Sequence, residues 1–159
     1  MTGPLDVLVV GGGPAGAATA ALLARRGYRA VIVDRAVFPR PKPCGDYLNP
    51  GCDELFERLG VRDALQRAAA PVRGMRLVTA DGAAAALPFP RRNGWALQRS
   101  RLDQALLDHA LRAGVLVRDG SRLAALEPAA RAVRVTMERG GRTECCAARL
   151  VVGADGLRS

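Results

Sequence analysis

Apolar runs and helical patterns alternate at the start of the chain. Val7–Val10 is a short apolar run that predicts a buried strand, and the alanine-rich stretch Ala15–Ala24 predicts a helix. Gly27 is positioned to end that helix, and a second apolar run, Ala30–Val33, predicts another strand. The order strand, helix, strand indicates an α/β protein with a parallel sheet.

The middle of the chain predicts short helices and a hairpin. Helices are expected over about 51–59, 62–69 and 101–113, and strands over 72–79, 84–87 and 95–98. Asp81-Gly82 supplies a hairpin turn, and Ser100 is the expected N-cap of the third helix. The proline-rich segment Phe38–Pro43 is expected to be irregular, because proline removes a backbone donor and fixes φ.

The C-terminal part of the chain predicts mainly strands. They are expected over 115–118, 122–126, 132–137, 143–148 and 150–152. Gly140-Gly141 is the turn between two of them, so the segments within 122–148 predict a small antiparallel β-meander. The predicted fold class is therefore α/β and Rossmann-like, with a parallel sheet that carries this meander.

The turn after the first strand has the spacing G-x-G-x-x-G. Gly11 allows a sharp turn, Gly13 leaves room for a pyrophosphate beside the backbone, and Gly16 allows close packing of the helix on the sheet. Unpaired N–H groups at a helix start attract an anion, and Pro14 fits the first turn because no N–H is needed there. Asp34, 18 residues after Gly16, can accept hydrogen bonds from an adenosine ribose. This unit predicts a bound dinucleotide, FAD or NAD; the alternative is an ordinary glycine turn with a surface aspartate.

Composition places the chain among globular proteins. With 159 residues, of which 49% are hydrophobic and 25% charged, it can form one domain with a real core. No apolar stretch approaches the roughly 18 residues that span a bilayer, and no secretory signal is visible, so a cytoplasmic location without a transmembrane segment is expected.

Charge and cysteine content argue against two other classes. The net charge of +9 suggests a nucleic-acid partner, but the arginines are scattered, Lys42 is the single lysine and aromatics make up only 4%. The four cysteines form no C-x-x-C pair and have no histidine nearby. Neither nucleic-acid binding nor a metal site is therefore expected, and the cysteines are expected to be reduced thiols.

Three motifs follow one another along the chain: Gly11-Gly12-Gly13-Pro14-Ala15-Gly16 with Asp34, then Arg99-Ser100-Arg101-Leu102-Asp103, and finally the segment Val151–Ser159 with its Gly153-Ala154-Asp155-Gly156. In this order they resemble the motifs of the FAD-dependent oxidoreductases typified by p-hydroxybenzoate hydroxylase, which include monooxygenases, halogenases and geranylgeranyl reductases. A fourth stretch, Pro39–Gly45, resembles a loop of the geranylgeranyl-reductase-like members. The resemblance implies an FAD-binding domain.

The resemblance also implies which residues hold the cofactor. The implied FAD-binding residues are Gly11, Gly13, Pro14, Ala15, Gly16, Asp34, Arg35, Cys44, Gly45, Arg99, Asp155 and Gly156. Arg99 would lie near the FAD phosphates or the flavin, since its planar fork matches a phosphate. The Asp155-Gly156 pair would contribute to both FAD and NAD(P)H binding, and the loop with Cys44 and Gly45 would run beside the flavin ring. No catalytic base or nucleophile is identified.

The implied activity is that of an NAD(P)H-dependent flavoprotein monooxygenase acting on an apolar or aromatic small molecule. Alternatives are a geranylgeranyl-reductase-like flavoprotein that reduces prenyl double bonds, a nicotinamide-dependent dehydrogenase, and a non-catalytic remnant. The chain stops directly after the Asp-Gly motif, whereas relatives continue. Residues 1–159 are therefore expected to be an incomplete FAD-binding domain that is inactive alone.

Overall fold

The two apolar runs at the start of the chain form neighbouring parallel strands in the computed structural model, which describes residues 5–156. The described residues divide into two units. The first unit holds the described residues through Arg40 and those from Asp103 onward, and the second is Pro41–Leu102. The elements are β1 (Leu5–Val10), α1 (Pro14–Ala24), β2 (Ala30–Val33), β3 (Tyr47–Leu48), α2 (Cys52–Leu59), α3 (Arg62–Ala68), β4 (Ala70–Val72), β5 (Gly74–Val78), β6 (Ala84–Pro88), β7 (Gly94–Ala96), α4 (Arg99–Arg112), β8 (Leu116–Arg118), β9 (Ser121–Pro128), β10 (Val133–Arg139) and β11 (Arg142–Gly153).

The main sheet of the first unit has six strands in the order β8, β2, β1, β11, β10, β9. The pairs β8–β2, β2–β1 and β1–β11 are parallel, and the pairs β11–β10 and β10–β9 are antiparallel. The predicted α/β class with a mainly parallel sheet and an antiparallel meander is confirmed. Apolar side chains of both parts share one buried cluster, which contains Leu8, Val31, Val33, Val135, Met137 and Ala148.

The last strand departs from the sequence prediction. The segments 143–148 and 150–152 were expected as two strands, but β11 is a single strand over Arg142–Gly153. Its first half pairs antiparallel with β10, and its second half pairs parallel with β1, with Gly153 opposite Val10. Because β11 changes its pairing partner from β10 to β1, the pattern of apolar and polar residues changes near Arg149 although the strand is continuous.

Helix α1 packs through its smallest side chains. Gly16, Ala17, Ala20 and Ala21 are its buried residues, and they recur at helical spacing on one face. Small side chains let the helix axis come close to β1 and β2. The N-terminus of α1 lies near the end of β1 because only residues 11–13 separate the two elements.

The second unit contains two small antiparallel sheets and two short helices. One sheet has the order β3, β7, β4, and the other is the hairpin β5–β6. The hairpin confirms the predicted turn at Asp81-Gly82, while the expected strand 72–79 is divided between β4 and β5, which belong to different sheets. Helix α2 ends at Gly60, whose φ of 78° is the left-handed conformation that glycine favours.

Helix α4 begins two residues earlier than expected. It spans Arg99–Arg112, so Ser100 lies inside the helix and the N-cap prediction is wrong. The Gln98 carbonyl accepts the first hydrogen bonds, from the N–H groups of Arg101 and Leu102. Across residues 5–156, no helix is both long enough and apolar enough to cross a bilayer.

Candidate functional site

The glycine turn joins the ends of three parallel strands. The Gly11 N–H donates to the Val33 carbonyl at 2.7 Å, and the Ala154 N–H donates to the Val10 carbonyl at 2.7 Å. A Cβ on Gly11 would lie 2.4 Å from the Ala154 carbonyl oxygen, and the residue has a φ of +106°. Only glycine allows both that backbone conformation and that close approach. The contacts of Ala154 with Val10 and Gly11 also show that the first predicted motif and the Asp-Gly motif are neighbours in space.

Gly16 is needed for the packing of helix α1. A Cβ at this position would lie 1.8 Å from the Gly11 carbonyl oxygen, which no local adjustment of a side chain can relieve. The role predicted for Gly16, close approach of the helix to the strand end, agrees with this contact.

Gly13 borders open space in the described structure. It is the N-cap of α1, with φ −71° and ψ −175°, and Pro14 begins the helix. The one atom within 4 Å of a Cβ built on Gly13 belongs to the Arg40 guanidinium, at 3.7 Å. The Ala17 N–H donates to the Gly13 carbonyl at 2.9 Å, so the N–H groups of Ala15 and Gly16 precede the first helical hydrogen bond and have no acceptor within the helix. This arrangement leaves room and donors for an anion.

Asp34 lies at the tip of β2 and holds the glycine turn. Its side chain is buried; Oδ2 accepts the Gly12 N–H at 2.7 Å and Oδ1 accepts the Ala36 N–H at 2.8 Å. A carboxylate offers about four acceptor positions, so these two bonds leave capacity for a further donor such as a hydroxyl. The next predicted residue, Arg35, is exposed to solvent.

Arg40 is a site residue that the sequence prediction did not include. Its guanidinium lies 3.7 Å from Asp34 Oδ2 and 3.5 Å from Asp103 Oδ2, and it stacks over the Phe38 ring at 4.9 Å. The Asp103 side chain is completely buried. Both residues belong to motifs identified in the sequence: Arg40 lies in the Pro39–Gly45 stretch, and Asp103 is the last residue of the second motif. Their pairing joins segments that no local pattern connects.

The Asp-Gly motif follows β11 directly. Asp155 and Gly156 are both exposed, and Gly156 has a φ of +87°, which requires glycine or a strained residue. The end of the third motif, Leu157–Ser159, lies outside the described residues. Within the first unit the predicted residues Gly11, Gly13, Asp34 and Asp155 thus lie at the carboxyl ends of adjacent parallel strands, where ligands of open α/β sheets bind.

The remaining predicted residues belong to the second unit. Cys44 and Gly45 are exposed, and Arg99 begins helix α4. The Arg99 N–H donates to Asp46 Oδ1 at 3.0 Å, so Asp46 supplies the helix-capping oxygen that was expected from Ser100. The parts of Cys44, Gly45 and Arg99 in a flavin site stay predictions.

Substitution of Asp46 should separate two contributions to stability. Asp46 has a φ of 52°, which Asp and Asn tolerate better than alanine does. Asp46→Ala should therefore lower the free energy of unfolding by about 1–2 kcal/mol through the lost cap and the strained backbone. Asp46→Gly, which loses only the cap, should fall between Asp46→Ala and the parent in thermal unfolding. A glycine variant less stable than the alanine variant would contradict this account.

The comparisons with known proteins identify the family. Residues 4–159 match the family described as FAD binding domain, and the chain therefore belongs to it. The chain is 36% identical over 160 residues to a menaquinone reductase of Mycolicibacterium smegmatis, an alignment that covers 97% of this chain and 38% of the relative.

Solved structures agree with the fold. The myxobacterial chondrochloren halogenase CndH superposes with a TM-score of 0.89 at 29% identity, covering 98% of this chain and 38% of the halogenase. Aklavinone-11 hydroxylase, solved with FAD and aklavinone, superposes with a TM-score of 0.82 at 28% identity, covering all of this chain and 34% of the hydroxylase. The chain thus spans less than two fifths of the length of these relatives.

Proposed function

We propose that the first unit binds the ADP half of FAD at the glycine turn. The pyrophosphate would lie against Gly13, where the N–H groups of Ala15 and Gly16 have no acceptor within the helix and a Cβ would occupy otherwise open space. That open space at a helix N-terminus is the observation that carries the proposal. Membership in the FAD binding domain family supports FAD over a nicotinamide dinucleotide.

The polar groups around the glycine turn suit the ribose and the pyrophosphate of a dinucleotide. Asp34 would accept hydroxyl hydrogen bonds from the adenosine ribose while it keeps the turn in place through the Gly12 and Ala36 N–H groups. Arg40 places a guanidinium 3.7 Å from the position of a Gly13 Cβ, beside the expected pyrophosphate. Pro14 presets the first helical turn; Arg35, Asp155 and Gly156 would border the cofactor from the strand ends.

FAD, when bound, supplies the redox chemistry, because its ring accepts and donates hydride and reacts with oxygen. The described residues bind and orient the cofactor. Helix α1 contributes the positive end of its dipole, Gly11 and Gly16 keep the strand end and the helix start close together, and Arg40 adds a positive charge. Cys44, Gly45 and Arg99 are proposed to contact the flavin or its phosphates.

For the whole protein we propose an FAD-dependent monooxygenase that uses NAD(P)H and acts on an apolar or aromatic small molecule. The similarity to a hydroxylase solved with FAD and aklavinone supports this proposal. A reductase is the second candidate, favoured by the 36% identity to a menaquinone reductase. A cytoplasmic location also remains a proposal.

The direct test is to mix the purified chain with FAD, desalt it and record the absorbance spectrum. Retained flavin bands would support the FAD site. A folded, colourless protein would mean that these residues do not hold FAD by themselves; titration with NADH then tests the nicotinamide alternative.

Asp34→Ala should weaken FAD binding by about 1–3 kcal/mol, because charged hydrogen bonds to the ribose are lost. The same variant also removes the acceptors of two backbone N–H groups, so its thermal unfolding must be measured alongside. ADP carries the same ribose and pyrophosphate, and its affinity should fall by the same factor as that of FAD. Unchanged ADP affinity in a folded variant would remove Asp34 from the proposed site.

A further inference from the structure

The second unit contains a cavity of about 610 Å³ that the proposed FAD site does not use. Its charged lining residues come from three separate segments: Asp53 from α2, Arg62 from α3, and Arg91 and Arg92 from the turn before β7. Trp95 on β7 also borders it. This cavity is here named the arginine pocket.

Asp53 holds two of the arginines in fixed positions. Its side chain is 5% exposed; Oδ1 accepts from Arg62 Nε at 2.7 Å, and Oδ2 accepts from Arg92 at 3.0 Å. The hydrogen bond from Arg62 lowers the pKa of Asp53, an effect that burial opposes, so the carboxylate stays ionised at neutral pH. A guanidinium has five N–H donors, so each of these arginines is anchored by one donor and keeps others for a ligand.

The charge balance of the pocket favours an anion. Three guanidinium groups line it with one carboxylate, and that carboxylate is already engaged by two of them. Glu57 and Asp63 act on Arg62 through their charges, but neither lines the cavity. The side chains of Arg62 and Arg92 are 37% and 47% exposed, so their ion pairs with Asp53 add little to the stability of the fold. Guanidinium groups held in fixed positions do match the geometry of a phosphate or a carboxylate group.

One wall of the pocket is aromatic. The Trp95 ring is buried and stacks on Phe56, with ring centroids 5.7 Å apart. A ligand that places an oxyanion on the arginines would therefore have an aromatic wall beside it for a flat or apolar part.

We infer that the arginine pocket binds a small organic molecule that carries a phosphate or carboxylate group, with the oxyanion on Arg62 and Arg92 and the apolar part beside Trp95. All the lining residues belong to the second unit and none of them is a residue of the proposed FAD site, so the inference does not depend on the proposed FAD binding. It assigns a function to a cluster that no motif of the sequence indicated.

Trp95 makes the test simple, because the chain has a single tryptophan. Flavin-free protein is titrated at constant ionic strength with phenyl phosphate, benzoate or inorganic phosphate, and the Trp95 emission is followed. Phenyl phosphate or benzoate should give a saturable change in emission. Equal affinity for inorganic phosphate and phenyl phosphate would overturn the role of the aromatic wall.

Arg62→Gln and Arg92→Gln should each weaken phenyl phosphate binding about tenfold or more, since each loses a charged hydrogen-bond donor. Arg76→Gln is the matched control, because Arg76 is an exposed arginine of the same unit that does not line the cavity. No saturable change in the parent, or equal weakening by Arg76→Gln, would overturn the inference. Isothermal titration calorimetry checks the same affinities without the fluorescence signal, and FAD retention by Arg62→Gln should match that of the parent.

Discussion

Gly13→Val should abolish FAD binding while the chain remains folded. The valine side chain would project into the open space beside the N-terminus of α1, where the pyrophosphate is proposed to lie. Loss of two or more charge-assisted hydrogen bonds, each worth about 1.5–3 kcal/mol, corresponds to at least roughly hundredfold weaker binding. Retention of flavin bands after desalting is the measurement.

The fold should tolerate this substitution. Gly13 has φ −71° and ψ −175°, which any residue adopts, and only the Arg40 guanidinium, at 3.7 Å, comes within 4 Å of the added Cβ. Replacing glycine by valine at an N-cap costs about 1 kcal/mol, which for a chain of this size lowers Tm by roughly 2–4 °C.

Gly16→Val is the contrasting variant. Its Cβ would meet the Gly11 carbonyl oxygen at 1.8 Å, so the backbone must move, and the cost of such overpacking is about 1–3 kcal/mol or more. We expect a large loss of stability together with loss of FAD, whereas Gly13→Val loses FAD alone. If Gly13→Val retains FAD with the affinity of the parent, the pyrophosphate does not lie there.

The sequence predicted the local structure around the candidate site well, because the signals for the turn, the strands and the helix are local. The turn at Gly11–Gly16, the strand that precedes Asp34 and the helix between them are encoded within one short segment with regular periodicity. Asp155 was predicted from the Asp-Gly motif, which follows β11. Strand β11 pairs with β1, and the pairing of Val10 with Gly153 brings this motif next to the glycine turn.

Contacts between distant segments were the part that the sequence did not reveal. The cap of α4 comes from Asp46 instead of the nearby Ser100, because a tertiary contact replaces the local one. Likewise, β11 continues through Arg149 because its two halves bond different strands, a property that residue alternation does not encode. The ion pair between Arg40 and Asp103 is a further contact between distant segments that the sequence did not reveal.

Arg40→Met should weaken both the fold and the proposed cofactor site. Methionine keeps an unbranched stem but removes the cation that lies near Asp34 and beside the completely buried Asp103. Breaking a buried ion pair from one side costs about 3–5 kcal/mol, and we expect the lower end because Asp103 makes a further interaction and because 16% of the Arg40 side chain is exposed. Chemical denaturation of the FAD-free chain measures this cost.

A double-mutant cycle isolates the pair. Asp103→Asn keeps the shape of the side chain and removes its charge, so the Arg40→Met/Asp103→Asn double variant should be less destabilised than the sum of the single variants, by about 1–3 kcal/mol. Additive effects would mean that the 3.5 Å contact between Arg40 and Asp103 does not stabilise the fold.

Binding separates the two roles of Arg40. If the guanidinium also contacts the pyrophosphate, Arg40→Met should weaken ADP binding about tenfold or more, and the double variant should recover stability without recovering affinity. Arg40→Lys should recover little affinity, because an ammonium is a point charge and cannot span Asp34, Asp103 and a phosphate as the two ends of a guanidinium can. Full recovery of ADP affinity by the lysine variant would show that Arg40 contributes charge alone, without the geometry of its fork.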